Sequence, residues 1–337
     1  MDNRSLLCFR PCGIYCPRGD FYIDPWRPVA RALITHGHAD HARPGSDAYL
    51  CTDIAAPVIR HRLGDIQLDT ITYGETRDIN GVTVSYHPAG HVPGSAQIRV
   101  AYKGEVWVVS GDYKLEDDGL STPFEPITCQ HFITESTFGL PVFRWQPQEK
   151  VAAEINTWWQ ACAAQGKTAM LGAYSLGKAQ RLMTMLEDHG PILTHGAIEA
   201  TNKVMRAQAI NLPDTIQATA EVTAKSHPSA LVIAPPSALT ATWARKFGPR
   251  ETGFASGWMA IRGIRRRRAG DRGFVISDHA DWNGLLGAIH ATGAENIYVT
   301  HGYTDIFSRY LNEQGWNASV VETEFGVEED NTPEDLA

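Results

Sequence analysis

The sequence predicts an α/β protein built as a frame with a second α/β unit inserted into it. Three observations lead there. Up to about residue 146 the apolar runs are short and β-like, and several end in a histidine or an aspartate. From about residue 147 to 272 helical and strand periodicities alternate. After residue 273 a strand-like run again ends in a histidine, His301, of the same kind as those near the start. The wide gap between Asp112 and His301 marks the middle as an insertion. The expected boundaries are 1–146 and 273–327 for the two parts of the frame, 147–272 for the insert and 328–337 for an acidic tail, expected to be disordered.

The elements follow in order. Residues 14–24 read as a strand into a turn, closed by Asp24 before Pro25. Arg31-Ala32-Leu33-Ile34-Thr35 is a short apolar strand, and a helix-compatible segment starts at Asp40-His41. Gly81 to Tyr86 alternates like a sheet strand and leads to His91. Residues 105–110 lead to Asp112, and 131–135 carry Glu135. In the insert, Val151, Ile155, Trp158, Trp159 and Cys162 recur at helical spacing over 147–165. Thr168–Tyr174, Pro191–Thr194 and Ala230–Ala234 read as strands; 177–189, 197–210 and 237–247 read as helices. On return to the frame, Phe274–Ser277 and Asn296–Thr300 read as strands, and 281–292 and 304–314 as helices.

Composition sets outer limits. The 337 residues suffice for two domains, with ordinary apolar content. No apolar run approaches the roughly 20 residues that span a bilayer, and the first residues lack a secretory apolar region, so a cytoplasmic location is expected. The six cysteines are scattered, and even the evenly spaced Cys8, Cys12 and Cys16 fit reduced thiols better than a disulfide or metal framework. The net charge of −8 argues against sequence-blind coating of a duplex but leaves room for a local basic groove.

Chemistry concentrates in Thr35-His36-Gly37-His38-Ala39-Asp40-His41. Neutral imidazole and ionised carboxylate are ligands for zinc, manganese or iron. His36 and His38 alternate and can lean toward one ion; Asp40 and His41 point elsewhere, which suits a second. A loop that is histidine-rich by chance would not combine these ligand types with this spacing after a strand. The motif resembles the His-x-His-x-Asp-His signature of the metallo-β-lactamase superfamily, with later ligands in the expected order: His91 in Pro88-Ala89-Gly90-His91, Asp112 in Ser110-Gly111-Asp112-Tyr113, and His301 in Thr300-His301-Gly302. The resemblance implies two divalent ions, zinc or manganese, one taking His36, His38 and His91, the other Asp40, His41 and His301, with Asp112 bridging. It further implies that Asp24 supports a ligand side chain rather than binding an ion.

The insert following Thr134-Glu135-Ser136-Thr137 resembles the β-CASP nucleases, so the implied fold is a metallo-β-lactamase αββα sandwich with an inserted β-CASP α/β domain. Glu135 matches the acidic residue of the first added motif, His279 in Ser277-Asp278-His279-Ala280-Asp281 the histidine of the second, and His301 the third. The segments Cys16–Phe21, Ile23–Trp26, Gly172–Lys178 and Thr252–Trp258 are similar to the bacterial DNA-ligase-associated exonucleases, relatives of Artemis and Apollo. This implies DNA, single-stranded or at ends, as substrate, 5′ to 3′ exonuclease action in repair, and a DNA ligase and helicase as partners. One departure is His301, a position where the eukaryotic DNA-repair relatives typically lack histidine; RNA processing therefore stays open.

The chemistry asks for these groups in its own right. Two cations can activate water at neutral pH and stabilise the attacking and leaving oxygens of a phosphodiester, roles no neutral side chain fills. Asp40 and Asp112 would serve that centre, His279 could protonate a leaving oxygen, and Glu135 suits orienting a histidine or the water. Ser175 and Lys178, joining a strand to a helix, and Ser277, beside His279, are candidate phosphate contacts, with ordinary capping and a solvated lysine as the plainer alternative. Arg262, Arg265, Arg266, Arg267 and Arg268 form a basic run that could track a nucleic-acid backbone or be a solvated face. Trp243 and Trp258 fit core packing better than base stacking, and His195 reads as structural or substrate-facing. A thioesterase or lactamase would share the ligands without explaining the insert, His279 or the arginines, and a non-catalytic binding protein would not need the complete ligand set.

Overall fold

The structure, a computed structural model, describes residues 5–268 and 270–321. The acidic tail expected at 328–337 lies outside the described residues. The fold is mixed α/β with three sheets. The chain divides into two compact units: one holds the chain up to Asp117, Ser121–Pro141 and the chain from His279, the other Asp118–Leu120 and Val142–Asp278.

The first unit contains two sheets. One runs in strict chain order through Cys8–Arg10, Gly13–Cys16, Phe21–Ile23, Arg31–Leu33, Ala48–Thr52 and Leu68–Ile71. In the other, Val82–Pro88, Ala96–Tyr102 and Glu105–Val109 are antiparallel neighbours, and Glu105–Val109, His131–Ser136, Asn296–Gly302 and Asn317–Val320 are parallel. Inward-facing residues of both sheets, among them Ile14, Phe21, Leu33, Val84, Ile98 and Ile133, share one hydrophobic cluster. Each is one face of an alternating strand, so burying it leaves the other face for a helix. Ala56–Leu63 packs through Ile59 against Tyr49 and Cys51 of the first sheet. Trp282–Thr292 and Thr304–Glu313 pack through Leu285, Ile289, Phe307 and Leu311 against Phe132, Ile297 and Val299 of the second. The helix Trp282–Thr292 starts where Asp281 accepts from Gly284 N at 2.8 Å and stops at Gly293, whose φ of +62° closes the last turn.

The second unit is a six-stranded sheet whose pairings are all parallel, in the order Ile216–Gln217, Ile192–Thr194, Leu231–Ala234, Thr168–Gly172, Arg250–Ala255, Arg272–Phe274. Parallel strands need crossovers, and helices such as Gln148–Ala164, Lys178–Met185 and Gly196–Ala207 cover its faces. The first of these buries Val151, Ile155, Trp158, Trp159 and Cys162, the stripe its spacing predicts.

Three elements differ from the sequence reading. Asp40-His41 does not begin a helix: Ala42 N closes a turn on His38 O at 2.8 Å, and Pro44, which disfavours helical backbone at Arg43, with Gly45 at φ +99°, ends it there. The helix expected at 237–247 is split into Pro236–Thr240 and a 3₁₀ turn, Thr242–Phe247, by extended backbone at Ala241; each piece buries its own apolar residues, Leu239 and Phe247 among them. The strand expected over Phe274–Ser277 is Arg272–Phe274, and it forms the edge of the parallel sheet of the second unit, beside Arg250–Ala255.

Candidate metal centre

The first unit gathers its imidazoles and carboxylates at strand ends. His36, His38, Asp40 and His41 follow Arg31–Leu33; His91 follows Val82–Pro88; Asp112 follows Glu105–Val109; Glu135 lies in His131–Ser136 and His301 in Asn296–Gly302. Three sets converge, each with donor atoms within 4.8 Å of one another: His36, His38, His91 and Asp112; Asp40, His41 and His301; Asp112, Glu135 and His279.

Asp112 belongs to the first and third of these sets and lies close to His41 of the second. Its Oδ2 lies 3.5 Å from His36 Nε2, 3.4 Å from His41 Nε2 and 3.7 Å from His91 Nε2. His38 Nδ1 lies 3.0 Å from His36 Nε2 and 3.1 Å from His91 Nε2. His41 Nε2 is 3.5 Å from Asp40 Oδ2, and the His41 and His301 rings stack with centroids 5.4 Å apart. Two of these atoms, Asp112 Oδ2 and His41 Nε2, are buried with no hydrogen-bond partner among the described residues. Buried polar atoms are rarely left in that state. Donors bonded at about 2.0–2.1 Å to a tetrahedral ion stand roughly 3.3 Å apart, and the observed separations bracket that value. The residues therefore fit divalent cations, by donor chemistry and by the orphaned atoms alike.

Charge follows the geometry. Burial presses the His36 imidazole well below its ordinary range, with His41 adding to the effect. Burial acts the same way on His41, yet Asp112, Asp40 and Asp24 outweigh it and hold that ring well above the ordinary range. Burial favours the neutral Asp112 carboxyl, but His41 and His279 overturn this and keep it well below the usual carboxylate range. Burial, then His41, lowers His301. A negative Asp112 beside His36 and His301, which burial and the neighbouring His41 favour in the neutral form, suits an ion-binding site.

Several groups hold the donors. Asp24, at φ +42° after Phe21–Ile23, accepts from Thr35 N at 2.8 Å and Thr35 Oγ1 at 2.6 Å, and its Oδ2 lies 2.8 Å from His41 Nδ1. It thus fixes the ring whose Nε2 faces Asp112. Thr35 Oγ1 also lies 3.1 Å from His36 Nδ1, and Thr300 Oγ1 lies 2.8 Å from His301 Nδ1. Ser95 Oγ accepts from His91 N at 3.1 Å. Gly111 has φ +57°, and a Cβ there would sit 2.7 Å from the Thr35 side chain, so the turn presenting Asp112 admits only glycine without a shift. Glu135 spans the second pair of loops: Oε1 accepts from Tyr113 N at 2.8 Å, and Oε2 lies 2.9 Å from His279 Nδ1. Tyr113 O in turn accepts from Ala280 N at 2.6 Å. Tyr113, Thr35, Thr300 and Ser95 were not singled out from sequence; the pairing of threonine with the histidine after it was visible in the repeated Thr-His-Gly. Beside the Asp40, His41 and His301 side opens a recess of about 460 Å³, solvent at its mouth included, reaching Asp24, Trp26 and Gly111.

The remaining candidates are placed differently. Lys178 is not solvated: it is 5% exposed, with Nζ 3.8 Å from Asp278 Oδ2. Ser175 Oγ is buried without a hydrogen-bond partner among the described residues. Ser277 is buried and its carbonyl accepts from Arg181. Arg262, Arg265 and Arg266 are exposed along the helix Arg262–Arg268; the side chains of Arg267 and Arg268 lie outside the described set. His195 caps the helix Gly196–Ala207 by accepting from Ala197 N at 3.2 Å and meets Trp243 edge-on. Trp258 is buried against Phe143. No helix among the described residues is long and apolar enough to cross a membrane.

No model of a known protein family matches the chain. A protein of Opitutus terrae named "Probable DNA ligase" is 30% identical over 316 residues, covering 92% of this chain and 30% of that protein. Endoribonuclease YSH1 of Kluyveromyces lactis is 28% identical over 125 residues, 36% of this chain and 16% of that protein. Cleavage and polyadenylation specificity factor 73 of Drosophila melanogaster is 27% identical over 124 residues, 36% and 18% respectively. The likeness to the YSH1 and factor 73 proteins is confined to about a third of this chain, whereas that to the ligase-named protein runs over nearly all of it. The chain spans less than a third of the length of each of them. A crystal structure of a protein of unknown function from Enterococcus faecalis shares the fold, with a TM-score of 0.61 at 9% identity over 88% of this chain and 80% of that one. The clusters of imidazoles and carboxylates are candidate sites for divalent metal ions on their own chemistry.

Proposed function

We propose that this protein is a two-metal DNA exonuclease that hydrolyses phosphodiester bonds, 5′ to 3′, on single-stranded DNA or DNA ends, in repair. The observation that carries the reading is that the set His36, His38, His91 and Asp112 meets the set Asp40, His41 and His301 where Asp112 Oδ2 lies 3.4 Å from His41 Nε2, both atoms buried and without a hydrogen-bond partner among the described residues. His36, His38, His91 and Asp112 would hold one ion, and Asp40, His41, His301 and Asp112 the other, zinc or manganese, in an αββα frame. When bound, such ions activate water and neutralise charge on the phosphoryl group. The Glu135 carboxylate lies 2.9 Å from His279 Nδ1 and can accept a hydrogen bond from it, which would stabilise the imidazolium whose Nε2–H protonates the leaving oxygen. The exposed Arg262, Arg265 and Arg266 supply phosphate contacts. The ligase-named relative, aligned over nearly the whole chain, supports a nucleic-acid substrate, and the proposal adds a DNA ligase and a helicase as partners. Cytoplasmic action fits this role.

A second reading, an RNA-processing nuclease, draws support from the two RNA-associated relative names and from His301. One assay separates them: matched single-stranded DNA and RNA, labelled at the 5′ or 3′ end, with zinc and manganese tested separately. Release of mononucleotide from the 5′ label of DNA alone is the expected result. Equal or better RNA cleavage replaces the first reading with the second, and no cleavage of either by the ion-loaded protein refutes both.

A further inference from the structure

Arg181 is a buried arginine in the second unit, on the helix Lys178–Met185, and neither donor set uses it. Its Nη1 donates to Ser277 O at 2.5 Å and lies 3.2 Å from Asp278 Oδ1, and its Nε donates to Gln148 Oε1 at 2.7 Å. Lys178 Nζ stands 3.8 Å from the other carboxylate oxygen, and Lys178, Arg181 and Asp278 are each at most 6% exposed. Ser277 and Asp278 end that unit; the next residue along the chain is His279.

We propose that Arg181 is a positioning residue for His279. The proposal rests on the reading of His279 as the group that acts on the leaving oxygen. Upstream of His279, the Ser277 carbonyl and the Asp278 side chain are both held by one guanidinium. Downstream, Ala280 N is held by Tyr113 O and Asp281 caps the helix Trp282–Thr292. Asp278 is one peptide bond from His279, so holding the Ser277 carbonyl and the Asp278 side chain restricts the backbone of the histidine on its upstream side. The planar fork of arginine suits this task, because it can serve a main-chain carbonyl, a carboxylate and an amide oxygen at once, whereas lysine is a point charge. A buried ion cluster is a poor device for stability alone, since well-packed apolar groups do as well. The bond to a main-chain carbonyl two residues before the histidine points to position instead.

The test uses the full-length, ion-loaded protein. Arg181→Gln leaves the Lys178–Asp278 pair intact, so the cluster stays charge-balanced; Arg181→Lys keeps the charge and loses the fork. With the nucleic acid that the wild type cleaves, Arg181→Gln is expected to lower kcat about 10- to 100-fold, the scale of a small misplacement, with KM within about twofold. Arg181→Lys is expected to stay nearer to Arg181→Gln than to the wild type. In a His279→Ala background Arg181→Gln should cost nothing more, because it acts through that residue. Hydrogen–deuterium exchange of the segment around 277–281 should rise about tenfold or more in Arg181→Gln. Full activity of Arg181→Lys, additive losses in the double variant, or unchanged exchange each overturn the proposal. Should Arg181→Gln fail to fold, kinetics and exchange of Arg181→Lys decide it. A wild type that cleaves no nucleic acid refutes the proposed function, and the exchange comparison then decides the anchor by itself.

Discussion

Replacing Glu135 with glutamine isolates the link between the Asp112 loop and His279. In the native protein the carboxylate is 1% exposed and makes two bonds, from Tyr113 N at 2.8 Å and with His279 Nδ1 at 2.9 Å. Glutamine is nearly isosteric and can keep its oxygen toward Tyr113 N–H. Its amide nitrogen then faces His279 Nδ1 as a donor, so the ring must present a lone pair there and carry its proton on Nε2. One charge-assisted bond, worth about 1.5–3 kcal/mol, is lost at a group that acts in the transition state. At about 1.4 kcal/mol per decade this gives roughly a 10- to 150-fold fall in kcat, with KM little changed. The assay is single-turnover cleavage beside elemental analysis of bound metal. Wild-type kcat in Glu135→Gln would refute the reasoning. So would loss of a bound ion, which would make Glu135 a metal ligand, as its grouping with Asp112 and His279 also permits.

Three more outcomes are expected. Asp24→Asn disturbs the carboxylate that holds both Thr35 and His41, so metal affinity measured by chelator competition should drop about 10- to 100-fold; unchanged affinity would leave Asp24 with a role in the turn alone. Replacing Arg262, Arg265 and Arg266 together by alanine should lower affinity for single-stranded DNA and flatten its log–log salt dependence by up to about 2, at roughly 0.7 per contact; an unaltered slope would make the helix merely solvated. Glu199 is buried, which favours its neutral form, but Thr215, Thr194, Asn202 and Arg206 hold it below the ordinary value of 4.5. Its stabilising effect is therefore full above that value and fades as pH falls through the lower, folded-state value. Glu199→Gln should cost about 2 kcal/mol at neutral pH, with the gap to wild type narrowing below about pH 4.5 in urea melts, and a gap independent of pH would contradict this.

What could be read from sequence depended on how local the signal was. His36, His38, Asp40 and His41 share one loop, and His91, Asp112 and His301 each follow or end an apolar strand, so residue type and strand-end position mark them as candidates, while their grouping comes from the resemblance to the metallo-β-lactamase superfamily. The turn after His38 was misread as a helix start because Asp40-His41-Ala42 has no internal breaker; Pro44 and Gly45, just beyond, decide it. The sequence offers Lys178 as a phosphate contact or a solvated cation and shows nothing of its buried pairing, because Asp278 lies 100 positions away, beyond any periodicity argument. Tyr113 was silent for a related reason: its contribution is a backbone N–H to Glu135 and a carbonyl to Ala280, and main-chain bonds leave no mark on residue choice.

The sheet that carries Glu135 and His301 has a consequence for synthesis. Its strand His131–Ser136 pairs on one side with Glu105–Val109 and on the other with Asn296–Gly302. A ribosome makes the whole stretch Val142–Asp278 between those two neighbours. During that interval the growing chain carries a bare strand edge next to an apolar face, an invitation to mispair or to be captured by another nascent chain. His301 arrives with the strand that covers the edge, so translation order makes closure of the sheet and completion of the donor set a single late event.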